Sequence, residues 1–353
     1  MTVDPEGARF RLGVARGHYE SWFVRGNHPT RPLAFWIRYT VTSPAARPQD
    51  AVAEMFAIVF DGERGRHVVA RQTHPLSEAL FPTSGLGVRI AGSRLERDSA
   101  EGRAEGPTVA RGGAEGPTVA RGGAEGPTTG VAITWKLAFE GGGPPLLLLP
   151  ERFYAGGFPK AKSLVIRPNI TFKGHVQVGD EAIPVDGWRG SVNHNWGSRH
   201  TDRYAWGQVA GFIDAPDTFL ELATARIRMG PVLTPAMTPV VLRHHGREHR
   251  LNALRTLFGR ASVRGLEWTF KAEGEGLSLR GTVRAAPADV VTLFYANPPG
   301  GRKICINTKI ATCDLELTTA RGVERLRTPH GAAFELLVDE LSDTGLPDLP
   351  API

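Results

Sequence analysis

With 353 residues, 42 of them glycine and 27 proline, the chain has material for two domains of ordinary size or one large all-β body, and long runs of helix are excluded. The formal charge of +6 comes almost wholly from scattered arginines with no Lys/Arg run longer than two, so the basic stripe of a nucleic-acid footprint is missing. The only two cysteines, Cys305 and Cys313, fall in one extended stretch that would hold them roughly 26 Å apart, too far to bridge, which points to a reducing compartment.

The N-terminal Met-Thr-Val-Asp-Pro-Glu has neither a basic nor an apolar signal region, and the leucine run at 146–149 is far too short to span a bilayer. A cytoplasmic protein is expected, peripheral to a membrane at most and touching it transiently to collect a ligand. Residues 17–27 and 33–43 read as a hairpin across the turn-rich 28–32. Leu33, Phe35, Ile37, Tyr39 and Val41 form its apolar face against Arg38 and Thr40, as in a half-buried sheet. Strands follow at 52–60, 66–72 and 85–96, with the spacing of a meander.

Residues 104–129 carry a ten-residue repeat, Ala-Glu-Gly-Pro-Thr-Val-Ala-Arg-Gly-Gly, given twice and begun a third time. The period is too short for a solenoid unit and offers only Val and Ala to a core, so a flexible, disordered insertion over 98–129 is expected. Strand character returns at 130–139, 163–168, 170–178 and 181–190. After residue 200 come 203–214, 217–229, 237–243, 247–258, 266–274, 277–285, 290–296 and 303–317. His244-His245-Gly-Arg-Glu-His249 reads as a hairpin tip in water rather than a metal cluster.

Residues 191–208 stand between these two blocks and concentrate the chemistry-bearing side chains. Alternation puts Val192, His194 and Trp196 on one strand face and Tyr204, Trp206 and Gln208 on another. A Trp-Gly pair ending a strand is equally well explained as a packing plug at a barrel corner. A shift of 184 positions lays Trp22 on Trp206, Pro32 on Pro216, Phe35 on Phe219 and Thr40 on Thr224, which suggests two related β-barrels. Under that shift Glu221 takes the inward place of Ile37. There desolvation would raise its pKa and leave it able to donate a proton near neutral pH, unless it pairs with an arginine or sits at a wet mouth. His194, His200 and Asp202 lack any standard metal-ligand register, no phosphate loop opens a helix, and Ser191 and Ser198 are the remaining nucleophile candidates.

The run Val192-Asn-His-Asn-Trp-Gly197, followed by Tyr204-Ala-Trp206 and an aromatic-x-acid pair, resembles the carotenoid 1,2-hydratase (hydroxyneurosporene synthase) and AttH-like family. More distantly it is similar to fungal lipocalin-like Diels–Alderases and tocopherol cyclases. Glu20-Ser-Trp-Phe23 and the segment from Tyr295-Ala-Asn-Pro-Pro-Gly300 to Cys305-Ile-Asn-Thr-Lys309 extend the resemblance over most of the chain outside the repeat. It implies an all-β fold of two tandem lipocalin-like antiparallel β-barrels, residues 1–198 and 199–353, with a pocket for an isoprenoid- or polyketide-like molecule and no cofactor or metal. The hydratases carry a His-x-Trp, matched by His194 and Trp196, and a later Tyr-x-Asp, which here reads Phe219-x-Glu221 without the phenol.

The expected function is therefore acid-catalysed hydration or cyclisation of a C=C bond, with Glu221, His194 and Trp196 catalytic and Tyr204, Trp206, Phe219, Trp22 and Phe35 lining the substrate. Two alternatives stand beside it: a non-catalytic carrier of hydrophobic small molecules, and a structural member without activity. Substrate identity and oligomeric state are left open by the sequence.

Overall fold

Period-two alternation decides the local structure. The apolar residues at odd positions from Leu33 to Val41 draw one unbroken strand over Leu33–Ser43. The computed structural model describes residues 4–106, 130–253, 257–258, 260–346 and 349–353, and within them the protein is all-β. The first half contributes β1 (His18–Asn27), β2 (Leu33–Ser43), β3 (Val52–Asp61), β4 (Arg66–Pro75), β5 (Ala79–Leu80), β6 (Gly87–Ile90), β7 (Ser93–Glu96), β8 (Ser99–Ala104), β9 (Ile133–Gly141), β10 (Leu146–Leu147), β11 (Ala161–Val178) and β12 (Glu181–Gly197). The second contributes β13 (Arg203–Ala210), β14 (Phe219–Arg226), β15 (Arg228–Met229), β16 (Val232–Leu233), β17 (Val240–His244), β18 (Arg247–Leu251), β19 (Ala261–Arg264), β20 (Glu267–Gly274), β21 (Leu277–Arg284), β22 (Val291–Ala296), β23 (Arg302–Thr319) and β24 (Gly322–Val338).

The ladders order the first sheet β4-β3-β2-β1-β12-β11-β9-β8-β7-β6-β5 and the second β18-β17-β14-β13-β24-β23-β21-β20-β19. These are one topology used twice. In each half the opening strand is flanked by its hairpin partner and by a long late hairpin, of 18 and 17 residues in both cases. Each sheet curls around its own core, built on Trp22, Phe35, Trp135 and Phe172 in the first and on Leu222, Trp268, Leu279 and Phe334 in the second. The architecture is two tandem lipocalin-like antiparallel barrels. Among the described residues no helix is long and apolar enough to cross a membrane.

The duplication holds, but the face assignment drawn from it does not. Six residues, 28–33, separate the last paired residues Asn27 and Ala34, whereas eight, 211–218, separate Ala210 and Phe219. A uniform shift of 184 preserves the pairing and leaves each second-half strand one residue out of phase, which exchanges its two faces. Ile37 lies in the first core, and in the second half Leu220 and Leu222 take that place. Glu221 points out of its own barrel, toward the first one.

β1 and β2 are buried at every position. Their outer face, with Phe23 and Trp36, continues into Phe56 and Phe60 of β3 and packs on Trp206, Leu293, Tyr295 and Leu337 of the second half. Arg38 and Thr40, expected on a solvent face, are 4% and 3% exposed for this reason. The strands expected at 163–168 and 170–178 are one strand, β11, bulged at Val165/Arg167 and Pro168/Ile170 with Asn169 at φ 57°. Residues 99–104, expected within the insertion, form β8, and most of the repeat, 107–129, lies outside the described residues.

Candidate active site

Between the two sheets lies a cavity of about 210 Å³, walled by Phe23, Trp36 and Arg38 of the first half and Tyr204, Trp206 and Glu221 of the second, with Leu148 and Phe158 also in its lining. Glu221 is 2% exposed. Trp206 Nε1 donates to its Oε1 at 2.8 Å and Gln208 Nε2 donates to its Oε2 at 2.7 Å. Burial pushes the Glu221 pKa up to about 7, outweighing those two donors and the more distant Arg25 charge. Near neutrality this carboxyl is therefore poised between its protonated and ionised forms.

The donor at Gln208 is fixed from behind. Arg25, buried on β1, donates Nε to Gln208 Oε1 at 2.6 Å and Nη1 to Asn27 Oδ1 at 2.6 Å. Because a guanidinium can only donate, the Gln208 oxygen must face it and the amide NH₂ must face Glu221. Asn193 Oδ1 accepts the other Gln208 hydrogen at 2.8 Å, and Ser191 Oγ donates to Gln208 Oε1 at 2.6 Å. A second buried group borders the cavity: Lys309 Nζ donates to Glu335 Oε1 at 2.8 Å and to Asn307 Oδ1 at 2.6 Å. Lys309 also stands 5.2 Å from the Trp36 ring centre and 5.4 Å from that of Trp206.

His200 lies on this cavity wall, and its Nε2 donates to the Ala296 carbonyl at 3.2 Å, leaving Nδ1 as an acceptor. Burial, reinforced by the Arg38 charge, lowers its pKa to about 3, so the ring is neutral at physiological pH. His194 borders the same cavity, but both of its ring nitrogens are engaged elsewhere. Its Nε2 meets Glu20 Oε1 at 2.8 Å, its Nδ1 meets the Pro5 carbonyl at 2.9 Å, and its ring stacks on Trp22 at 4.6 Å. His194 and Glu221, expected to act together, are therefore not brought together by their functional atoms.

Of the other expected site residues, Tyr204 and Trp206 reach the Glu221 cavity. Trp22 and Phe35 are core residues of the first barrel, and Phe219 packs against Leu146, Leu148 and Val241. Trp196 borders a different, polar cavity of about 640 Å³ under Arg9, whose guanidinium carbon is 4.7 Å from its ring centre. Glu20 lies beneath: its carboxylate accepts from the Arg9 and Phe10 amides and pairs with His18 at 2.9 Å and His194. Burial would raise its pKa, but the two histidines prevail and hold it at about 2. Cys305 and Cys313 are free and buried. At the β17–β18 turn, His244 Nε2 pairs with Glu324 Oε2 at 2.9 Å, beside the exposed His245.

The sequence did not single out Glu335, Lys309, Arg25 or Arg38 as site residues. The first lies on β24, a strand not expected at all. The signal available for Arg25 and Arg38 was one arginine in each of β1 and β2 on the face opposite the apolar one, which alternation alone assigns to solvent.

No protein-family model matches the chain. An uncharacterised protein of Mycobacterium tuberculosis, present in two strains, is 25% identical over 186 residues, covering 53% of this chain and 56% of that protein. The chain thus spans about half the length of the curated relatives it matches. Among solved structures it is similar to a candidate AttH from Nitrosomonas europaea, at 14% identity and TM-score 0.55 over 96% of this chain and 98% of the other. It is also similar to kievitone hydratase from Nectria haematococca, at 11% identity and TM-score 0.50, with 96% and 98% covered. The fold is the one the AttH-like resemblance implied, and this chain shares it, end to end, with that AttH candidate and with a hydratase.

Proposed function

We propose that the chain is a cofactor-independent enzyme that protonates a carbon–carbon double bond in an apolar, isoprenoid- or polyketide-like molecule held between the barrels, leading to hydration or cyclisation. Residues 1–198 and 199–353 would be its two domains. The observation that carries this proposal is Glu221, a carboxyl buried on a cavity wall, titrating near neutrality and aimed by Trp206 and Gln208. Its O–H bond breaks as the alkene electron pair forms the new C–H bond. Water or a nucleophile of the substrate then adds to the resulting cation, and the proton released returns to the carboxylate. A facing aromatic ring contributes about 2 kcal/mol or more to such a cation when desolvated. Trp36 and Trp206 already face Lys309, and Tyr295 faces Arg38, which leaves Tyr204 and Phe23 for that part. His200, neutral and with Nδ1 as an acceptor, orients the attacking water. A hydratase on the same fold makes hydration the first reaction to test.

The test is to extract the purified protein with organic solvent, identify the carried-over molecule by mass spectrometry, and incubate it with wild type and Glu221→Gln. Wild type should yield a product one water heavier, or an isomer, and the variant should bind without turnover. Equal turnover in the variant removes the acid from the mechanism. Binding with no product from wild type identifies a carrier.

A further inference from the structure

Arg38 has an unusual place. It is 4% exposed on the outer face of β2 and lines the interdomain cavity. Its Nη2 donates to Ser21 Oγ at 2.7 Å, and its Nε–H meets no acceptor. The carboxylates near enough to favour its charge are bonded to other cations, Glu54 to Arg71 at 2.7 Å and Glu335 to Lys309 at 2.8 Å. Among the described residues Arg38 has no ion-pair partner. Removing a guanidinium from water without a counter-charge is costly, and an ordered water would fill its hydrogen bond without neutralising it.

Two more donors beside it are also unmatched. Trp36 Nε1 has no acceptor, and the Tyr295 hydroxyl has none apart from the weak thiol of Cys305 next to it. The guanidinium carbon of Arg38 lies 4.5 Å from the Tyr295 ring centre and 5.8 Å from that of Trp36, and all three side chains line the same cavity. Leu148, Leu149, Phe153, Met237 and Leu257 give the rest of that lining an apolar character. One full positive charge and a cluster of free donors against a greasy wall describe a receptor for an amphipathic molecule.

We infer that the ligand of this cavity carries a delocalised oxyanion, a carboxylate or its chemical equivalent, seated on Arg38, Trp36 and Tyr295, with its apolar body toward the leucine-rich wall. Oxygen pairs of this kind match the fork of a guanidinium and supply the direct ion-pair partner that Arg38 lacks among the described residues. This inference rests on the proposed ligand cavity and narrows its substrate class from any apolar molecule to an acidic one. It does not depend on Glu221 being the catalyst.

Calorimetric titration of the full-length protein at neutral pH with 4-phenylbutyrate and 4-phenylbutan-1-ol tests it. These probes share a body and differ in the head. The carboxylate should bind at least about tenfold more tightly, and Arg38→Met should reduce that ratio to about twofold with the alcohol unchanged. Glu221→Gln should keep the preference, which separates this inference from the catalytic proposal. Equal affinities in wild type, no binding of either probe, or a ratio that survives Arg38→Met overturns it. Should Arg38→Met melt at a much lower temperature, Tyr295→Phe and Trp36→Phe replace it: each should weaken the carboxylate about threefold and spare the alcohol, and no change in either variant overturns the inference.

Discussion

Replacing Glu221 by glutamine separates a constant cost from one that depends on pH. Glutamine offers a single acceptor where Glu221 meets two donors, from Trp206 and Gln208. Gln208 cannot turn to compensate, because its oxygen is committed to Arg25 Nε at 2.6 Å. One donor is left facing another, a loss of about 1–3 kcal/mol at every pH. The second term has the opposite sign. Glu221 titrates near 4.5 in the open chain and at about 7 in the folded protein, so between those values the unfolded state has already released its proton and the native state has not. Wild type therefore loses roughly 3 kcal/mol of stability as pH rises through that interval, and the variant loses none from this position. Every other titrating residue is common to both proteins and largely cancels in the difference. Urea unfolding followed by tryptophan fluorescence from mildly acid to mildly alkaline pH should show the variant less stable in acid and level with, or above, wild type in base. Parallel stability curves would refute a carboxyl held near neutrality, and a difference of the opposite slope would mean that its pKa is depressed.

Trp206→Phe keeps a ring and removes the indole donor to Glu221, so the basic limb of turnover should move to higher pH by about one unit, seen in the pH–rate profile. Glu20, held at about 2, stabilises the fold fully above its ordinary value near 4.5 and progressively less as pH falls toward 2. Amide exchange at Arg9 and Phe10, whose N–H groups it accepts, should lose protection over that acid range in wild type and be unprotected throughout in Glu20→Ala. Lys309→Met strands the buried Glu335 carboxylate and should cost about 3–5 kcal/mol in urea unfolding, most of it recovered when Glu335→Leu is added.

Individual strands were legible wherever a single face is apolar: β2 runs over the span that its alternation marks. β24 was not, because Arg325, Arg327, Pro329 and His330 interrupt the pattern before Ala332 to Leu337 resumes it, and neighbouring β23 supplies the ladder that holds them extended. The site was legible in its residue types and not in its grouping. Glu221 and Trp206 were found together since their strands are hairpin neighbours. Glu20 and His194 lie 174 positions apart and meet only through the β1–β12 ladder. Arg38 looked solvated because a strand pattern cannot show that a second sheet covers its polar face.

The longer turn between β13 and β14 has a further consequence. The two extra residues let the strands of both halves match face for face: Glu221 takes the outward place that Trp36 holds in the first half, so each half turns the same side to its twin. The carboxyl at 221 stands on a flank that the other half seals, which ties the existence of the hollow to the paired state: either half alone would leave an oily, partly charged flank open to water, and would be expected to clump rather than work.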